Sequence, residues 1–245
     1  MAGLDEHDLN EHLCSAAAGL AGLPVATSSV VTFQDERAIA VERYDRLPQT
    51  AGGPIRRVHQ EDMCQALGIP PTAKYQSEGG PSPEQVIDLL RREIRPARAA
   101  EVHVARFVDA LAFNWIIAGT DAHAKNFSLL LAGRQVRLAP LYDVASALPY
   151  DEIYVPRLRM AMRIGGDDRV AGVSGWHWRR FAMENRLDPD ETVARIDALA
   201  ARAPDCFEKV AQDRAVRALT SGLPARLVER VTAQALRCRA ALAQD

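Results

Sequence analysis

Asp121, His123, Lys125 and Asn126 crowd a single polar interruption, TDAHAKNFSLLL, between two apolar runs, and Asp143 follows in LAPLYDVAS. Each residue type brings a definite chemistry. A carboxylate such as Asp121 can orient an attacking hydroxyl and take its proton. Asn126 and Asp143 offer the hard oxygens that magnesium prefers, and that ion usually keeps waters beside one or two carboxylates. A lysine such as Lys125 can neutralise a phosphate in transfer. Together they describe one end of a phosphoryl-transfer site. His123 reads as a residue that packs under the loop and fixes its backbone.

The positioning elements are legible on either side. Residues 101–118 carry Val104, Val108, Leu111, Trp115 and Ile116 at helical spacing, and Gly119 ends the helix. FSLLLAGRQVRLAP (127–140) reads as a hairpin around Gly133-Arg134. The loop therefore hangs between a helix and a hairpin, and the returning strand can bring Asp143 back beside it. Protein kinases space a catalytic-loop Asp, an Asn five positions on and a metal-binding Asp beyond a hairpin in this way. Asp121 and Asn126 have that interval. Taken alone, such an interval arises often by chance, and these residue types are also ordinary turn formers. A zinc site built from His123, His103 or His59 with Cys64 lacks a recognisable ligand spacing.

Upstream, residues 5–21 have one apolar stripe and read as a helix. Residues 25–33 and 38–45 read as a short β-hairpin joined by QDER, residues 46–57 as a loop containing Gly52-Gly53, and residues 60–67 as a short helix whose acidic first turn is Gln60, Glu61 and Asp62. A Gly/Pro-rich connector runs through Pro83, and residues 84–93 form a further helix. After a second Pro- and Gly-punctuated stretch, residues 174–185, 189–202, 205–219 and 224–243 read as four helical segments.

The bulk properties are those of an ordinary globular chain. The 245 residues are 48% hydrophobic and 25% charged, with a net charge of -2, so no basic footprint for nucleic acid or an anionic membrane is present. No apolar run approaches membrane-spanning length. Four scattered cysteines without CxxC spacing read as reduced thiols, and the polar, acidic N-terminus has no signal-peptide pattern, so the expected location is cytoplasmic. Of 30 basic residues only Lys74, Lys125 and Lys209 are lysines.

The string NWIIAGTDAHAKNFSLLL…VRLAPLYDVAS closely resembles the core of HipA-type serine/threonine kinases, toxin components of bacterial toxin–antitoxin modules. LNEHLC with GLPV, RAIAVERYDR, HQEDMCQALGIP and KYQSEGGP resemble HipA segments in the same order. The resemblance covers residues 9–150 strongly and the helical tail more loosely. It implies an α+β, predominantly helical fold, a protein-kinase-like C-lobe with a short β-hairpin and hinge at the start and a helical body. It implies one domain over 1–245, with 1–45 as a remnant of the N-lobe and hinge and 46–245 as the helical C-lobe, its catalytic loop at 119–126. It further implies ATP and magnesium (Mg2+) as cofactors. Asp121 would be the base, Asn126 and Asp143 the metal ligands, and Glu42, Arg43 and Tyr44 the hinge that receives adenine. His123, Ala124, Lys125 and Tyr142 would complete the ATP site. The implied partners are a protein substrate, in the family a translation component, and an antitoxin protein.

A complete kinase also needs a flexible loop over the phosphates and a strand lysine that grips them. No GxG or Walker-type GK[ST] occurs, and no lysine precedes Lys74. The resemblance places those parts upstream of the segment matching Asn10-Glu11. Three expectations follow: an upstream portion supplied as a separate polypeptide, a truncated gene, or a pseudokinase that binds an antitoxin or a separate kinase half.

Overall fold

The computed structural model describes residues 5–34, 36–47 and 53–244, with the backbone alone for Val155. Asp35, within the QDER stretch read as a hairpin connection, and residues 48–52, including Gly52, lie outside the described residues. Helix α1 (His7–Leu20) leads to a two-stranded ribbon of β1 (Ser28–Phe33) and β2 (Glu36–Val41), then a short pair, β3 (Arg46–Leu47) and β4 (Arg56–Arg57). Strand β5 (His59–Asp62) runs directly into α2 (Met63–Ala66), and helices α3 (Pro83–Glu93) and α4 (Ala97–Ile116) follow. The hairpin β6 (Ser128–Ala132) and β7 (Gln135–Leu138) joins β5 in an antiparallel sheet of order β5-β6-β7. A second hairpin, β8 (Arg159–Ile164) and β9 (Asp167–Arg169), precedes α5 (Gly175–Glu184), α6 (Pro189–Ala211), α7 (Arg214–Arg217) and α8 (Leu223–Leu242).

Helix α4 is the centre of the core. Between Ala97 and Ile116 it holds neither Gly nor Pro, and Phe107, Phe113, Trp115 and Ile116 are fully buried among α3, α6 and α8. Its Trp115 indole also donates to the Val170 carbonyl, at 3.0 Å, so the long helix is tied to the end of the β8–β9 hairpin. The helix stops where the chain returning after β7 crosses it at Ala145. A Cβ on Gly119 would lie 2.3 Å from the Asn114 side-chain oxygen and 3.2 Å from the Ala145 carbonyl, so only glycine fits.

Three sequence readings are corrected. Gln60, Glu61 and Asp62 form strand β5, because the edge of β6 is available to pair them, with Asp62 opposite Ser128. The helix they were expected to open starts only at Met63, where Asp62 caps it: its carboxylate accepts from Gln65 N at 2.9 Å, and Gln65 Oε1 accepts from Asp62 N at 3.0 Å. The segments read as 189–202 and 205–219 are instead one continuous helix through Pro204 as far as Ala211, followed by the separate short helix α7. The unbroken apolar stripe Ile196, Leu199, Ala200, Ala203, Cys206, Phe207 and Val210 packs on neighbouring helices, which offsets a proline cost of about 3 kcal/mol. The stretch 159–169, without a strand assignment from sequence, is a hairpin that turns at Gly165 and Gly166, both at positive φ.

Helix α1 is bolted to the chain downstream of the sheet through a buried amide. Asn10, with no exposed surface, donates to the Ser146 carbonyl at 2.7 Å and to the Tyr150 hydroxyl at 3.1 Å, and its oxygen accepts from Ser146 N at 3.2 Å. Nearby, Ala26 N donates to Leu141 O at 2.8 Å and Leu141 N to Pro24 O at 2.9 Å. Removing the Asn10 side chain leaves the buried Ser146 amide and carbonyl without partners, each worth about 1–3 kcal/mol. Asn10→Ala is therefore expected to lower unfolding free energy by about 2–4 kcal/mol in a urea titration.

Candidate functional site

The polar loop sits where α4, the β6–β7 hairpin and the 74–80 segment meet. Gly133 at φ 62 and Arg134 make the two-residue turn that pairs Ala132 with Gln135 and Leu129 with Leu138. That register returns the chain to its starting point, and Asp143 arrives beside Asn126, as the spacing predicts. Asn126 Nδ2 donates to Asp143 Oδ2 at 2.5 Å and approaches its carbonyl at 3.5 Å. Asp143 is exposed and held at φ 56, a left-handed conformation that non-glycine residues rarely adopt. The Asn126 side-chain oxygen is buried and has no hydrogen-bond partner.

That orphaned oxygen beside an exposed carboxylate, whose other oxygen is open, fits a hard cation. Among the described residues no three His, Cys, Asp or Glu side chains converge on one point. An ion here would thus be held by an amide and a carboxylate, with waters or phosphate oxygens filling its shell, as suits magnesium. A further acid closes in from α1. Half-buried Glu11 has its carboxyl pushed above the ordinary range, by burial first and by the Asp143 charge second.

Asp121 stands at the mouth of a cavity of about 590 Å³ lined by Lys74, Tyr75, Thr120, Ser146 and Tyr150, among others. Its side chain is 68% exposed and accepts a hydrogen bond from the Tyr75 hydroxyl, with the His123 ring nitrogen 3.9 Å away. His123 is buried, meets the Tyr75 ring edge-on at 5.2 Å, and is held below the usual histidine range, chiefly by burial. It packs beneath the loop.

A relay of hydrogen bonds fixes the loop's far end. Gln60 Nε2 donates to Ser128 Oγ at 3.0 Å, Ser128 lies 2.5 Å from the Tyr142 hydroxyl, and Tyr142 donates to the Lys125 carbonyl at 2.6 Å. Because Tyr142 gives its proton to a carbonyl, Ser128 must donate to Tyr142. Ala124 is buried, with its N–H on the Lys74 carbonyl at 3.3 Å. Lys125 is half-buried, near enough to Cys64 to oppose the burial that raises that thiol.

The segment 42–44 lies beside this relay. Tyr44 is 6.1 Å from Tyr142 between ring centroids, and burial pushes its phenol up to about 12. The Arg43 guanidinium is committed to buried Asp45, with two bonds of 2.8 Å, and the Glu42 N–H donates to the Thr27 carbonyl at 2.8 Å. Sequence reading passed over two residues of the site, Glu11 and Tyr75. Each stood inside a motif, LNEHLC or KYQSEGGP, whose contact partner lies far along the chain.

A family model described as the HipA-like C-terminal domain matches residues 2–207. A Sinorhizobium fredii protein named "Putative kinase Y4mE" is 38% identical over 205 residues, covering 83% of this chain and 47% of that protein. The serine/threonine-protein kinase toxin HipA of Shewanella oneidensis is 26% identical over 210 residues, covering 82% of this chain and 48% of its own length. The chain thus spans about half the length of these relatives. Among solved structures, the Shewanella oneidensis toxin–antitoxin complex of HipA, HipB and operator DNA contains a chain matching with a TM-score of 0.84 at 22% identity, over 97% of this chain and 57% of that one. The Helicobacter pylori proinflammatory kinase CtkA matches with a TM-score of 0.57 at 11% identity, over 95% of this chain and 85% of that one. The fold is therefore kinase-like, mixed α and β with far more helix than strand. No helix among the described residues is long and apolar enough to cross a membrane.

Two outcomes follow from this geometry. Tyr142→Phe strips the relay of its central hydroxyl and is expected to cost about 1–3 kcal/mol in urea unfolding. His12, His103 and His123 are all lowered, burial first in each case, so the unfolded chain protonates them near pH 6.5 while the folded chain resists. Stability is accordingly complete above about pH 6.5 and declines as the pH falls towards the lowered folded values. Urea titrations between pH 7.5 and 5.5 should show that decline, and His123→Gln should make it shallower.

Proposed function

The chain belongs to the HipA-like C-terminal domain family, and from that premise we propose that it is the catalytic portion of an ATP- and magnesium-dependent serine/threonine protein kinase of a toxin–antitoxin module. The observation that carries this reading is the pairing of Asn126 with Asp143, with the buried Asn126 oxygen left open beside the Asp143 carboxylate.

In this reading Asp121 accepts the proton of a protein hydroxyl entering the adjacent cavity. The hydroxyl oxygen bonds to the γ-phosphorus as the bond to the ADP oxygen breaks. Asn126 and Asp143 would hold magnesium, which supplies charge neutralisation on the phosphates when bound. Lys125 adds a cation on the loop, and His123 and Ala124 keep the loop's backbone in place. Glu42, Arg43 and Tyr44 form the adenine side, with Tyr44 and Tyr142 offering an apolar wall. Since Arg43 is engaged by Asp45 and the Glu42 N–H by Thr27, remaining backbone groups of that segment would meet the base. The acceptor is a protein, in keeping with a toxin that acts on a translation component, and the regulatory partner is an antitoxin protein.

A second reading, a silent module that binds an antitoxin or a separate kinase half, draws on the β1–β2 ribbon. It is two-stranded, and Phe33 (68%) and Val41 (39%) are exposed on it, so it offers edges and apolar surface for strand addition. Calorimetry separates the two. The kinase reading expects magnesium-dependent ATP binding that Asp143→Ala or Asn126→Ala weakens at least about 10-fold. Asp121→Asn should retain binding and lose phosphate transfer. Absence of magnesium-dependent binding favours the silent module.

A further inference from the structure

The segment KYQSEGGP is folded into a rigid strap. The Tyr75 carbonyl accepts from Glu78 N at 3.0 Å and Gly80 N at 2.9 Å, closing a tight 3-10 turn over Gln76–Glu78. Gly80 is required there, because a Cβ would lie 2.5 Å from the Ala73 carbonyl and 2.7 Å from that of Tyr75. The strap is anchored on both sides. Gln76 Oε1 accepts from Arg163 N on β8 at 2.7 Å, and the Lys74 carbonyl accepts from Ala124 N in the polar loop. The Tyr75 ring is further fixed by its edge contact with buried His123.

All of this construction ends in one hydroxyl, which donates to Asp121 Oδ1. Asp121 otherwise projects from the protein with most of its surface in solvent, and an exposed aspartate samples several rotamers. A group that must meet an entering hydroxyl has to be held within about 0.5 Å of its working position. We propose that Tyr75 is the positioning residue for Asp121: its hydroxyl clamps one carboxylate oxygen and leaves the other to receive the acceptor's proton. This rests on the reading of Asp121 as the base. The phenol stays a donor at neutral pH, because burial and the neighbouring carboxylate both hold it above its ordinary range.

Turnover is measured as phosphate leaving γ-labelled ATP with magnesium, comparing the native chain with Tyr75→Phe, Tyr75→Ala and Asp121→Asn. Tyr75→Phe keeps the ring on His123 and removes only the clamp. It should lower kcat about 10-fold or more, with KM for ATP unchanged within about twofold, and Tyr75→Ala should do the same. Native-like kcat in Tyr75→Phe with loss only in Tyr75→Ala would make the ring a packing element and overturn the inference. A faster Tyr75→Phe enzyme would overturn it too, because the hydroxyl would then be competing with the acceptor. Should Asp121→Asn match the native chain's turnover, the kinase reading itself falls, and should the native chain alone show none, the nitration comparison below decides for or against the clamp. The contact is read independently by tetranitromethane nitration and peptide mapping. Tyr75 should nitrate several-fold more slowly in the native chain than in Asp121→Ala, and equal rates would show that no clamp exists.

Discussion

The hydrogen bond from Asn126 to Asp143 is the constraint on which the site's arrangement depends. It joins the two ends of the β6–β7 hairpin, so it can form only if the turn consumes two residues and the strands keep their register. A one-residue slip would turn Leu129 and Leu138 outward and carry Asp143 away from the loop. The left-handed backbone at Asp143 belongs to the same requirement: the chain must bend sharply there for the carboxylate to face the amide. Strain at that point is held by what surrounds it, the Val25 and Leu141 bridge on one side and the Asn10 clamp on Ser146 on the other.

Helix α1 is consequently more than a cover for the core. One turn of it supplies Asn10, which fixes the segment after Asp143, and Glu11, which adds negative charge beside it. The same helix packs against the β1–β2 ribbon and against α6. A rotation of α1 would therefore disturb the ribbon, the Asn126–Asp143 pair and the helical tail together, which couples the two sides of the molecule.

The sequence showed most of what lies close together along the chain. The loop between α4 and the hairpin, the return of Asp143, and the glycine stop at Gly119 are local matters of spacing and turn chemistry, and they stand where expected. What it hid depends on partners distant in sequence. Gln60, Glu61 and Asp62 have no strand character of their own and become β5 only because β6 offers an edge. Pro204 reads as a break until the stripe on α6 finds α8. Tyr75 looks like one more residue of a Gly/Pro-rich connector, since its meaning comes from Asp121, on the other side of α3 and α4. Likewise residues 42–44 lacked an intrinsic signal, and only the structure makes visible that Arg43 answers to Asp45 and Glu42 to Thr27.

The scarcity of lysine has a practical sequel. Of the three amines among the 30 cations, Lys74 carries its ammonium 5.0 Å from the Tyr75 ring centroid, Lys125 lies on the polar loop, and Lys209 borders a separate cavity between α1, β1 and the tail. Arginine does not lose its proton at ordinary pH and resists acylation, so the basic surface is nearly silent to amine-directed reagents. In this molecule, acylation at lysine is thereby confined to three addresses, one lining the cavity beside Asp121 and one on the polar loop, so a neutralised amine at either would be felt first by that loop.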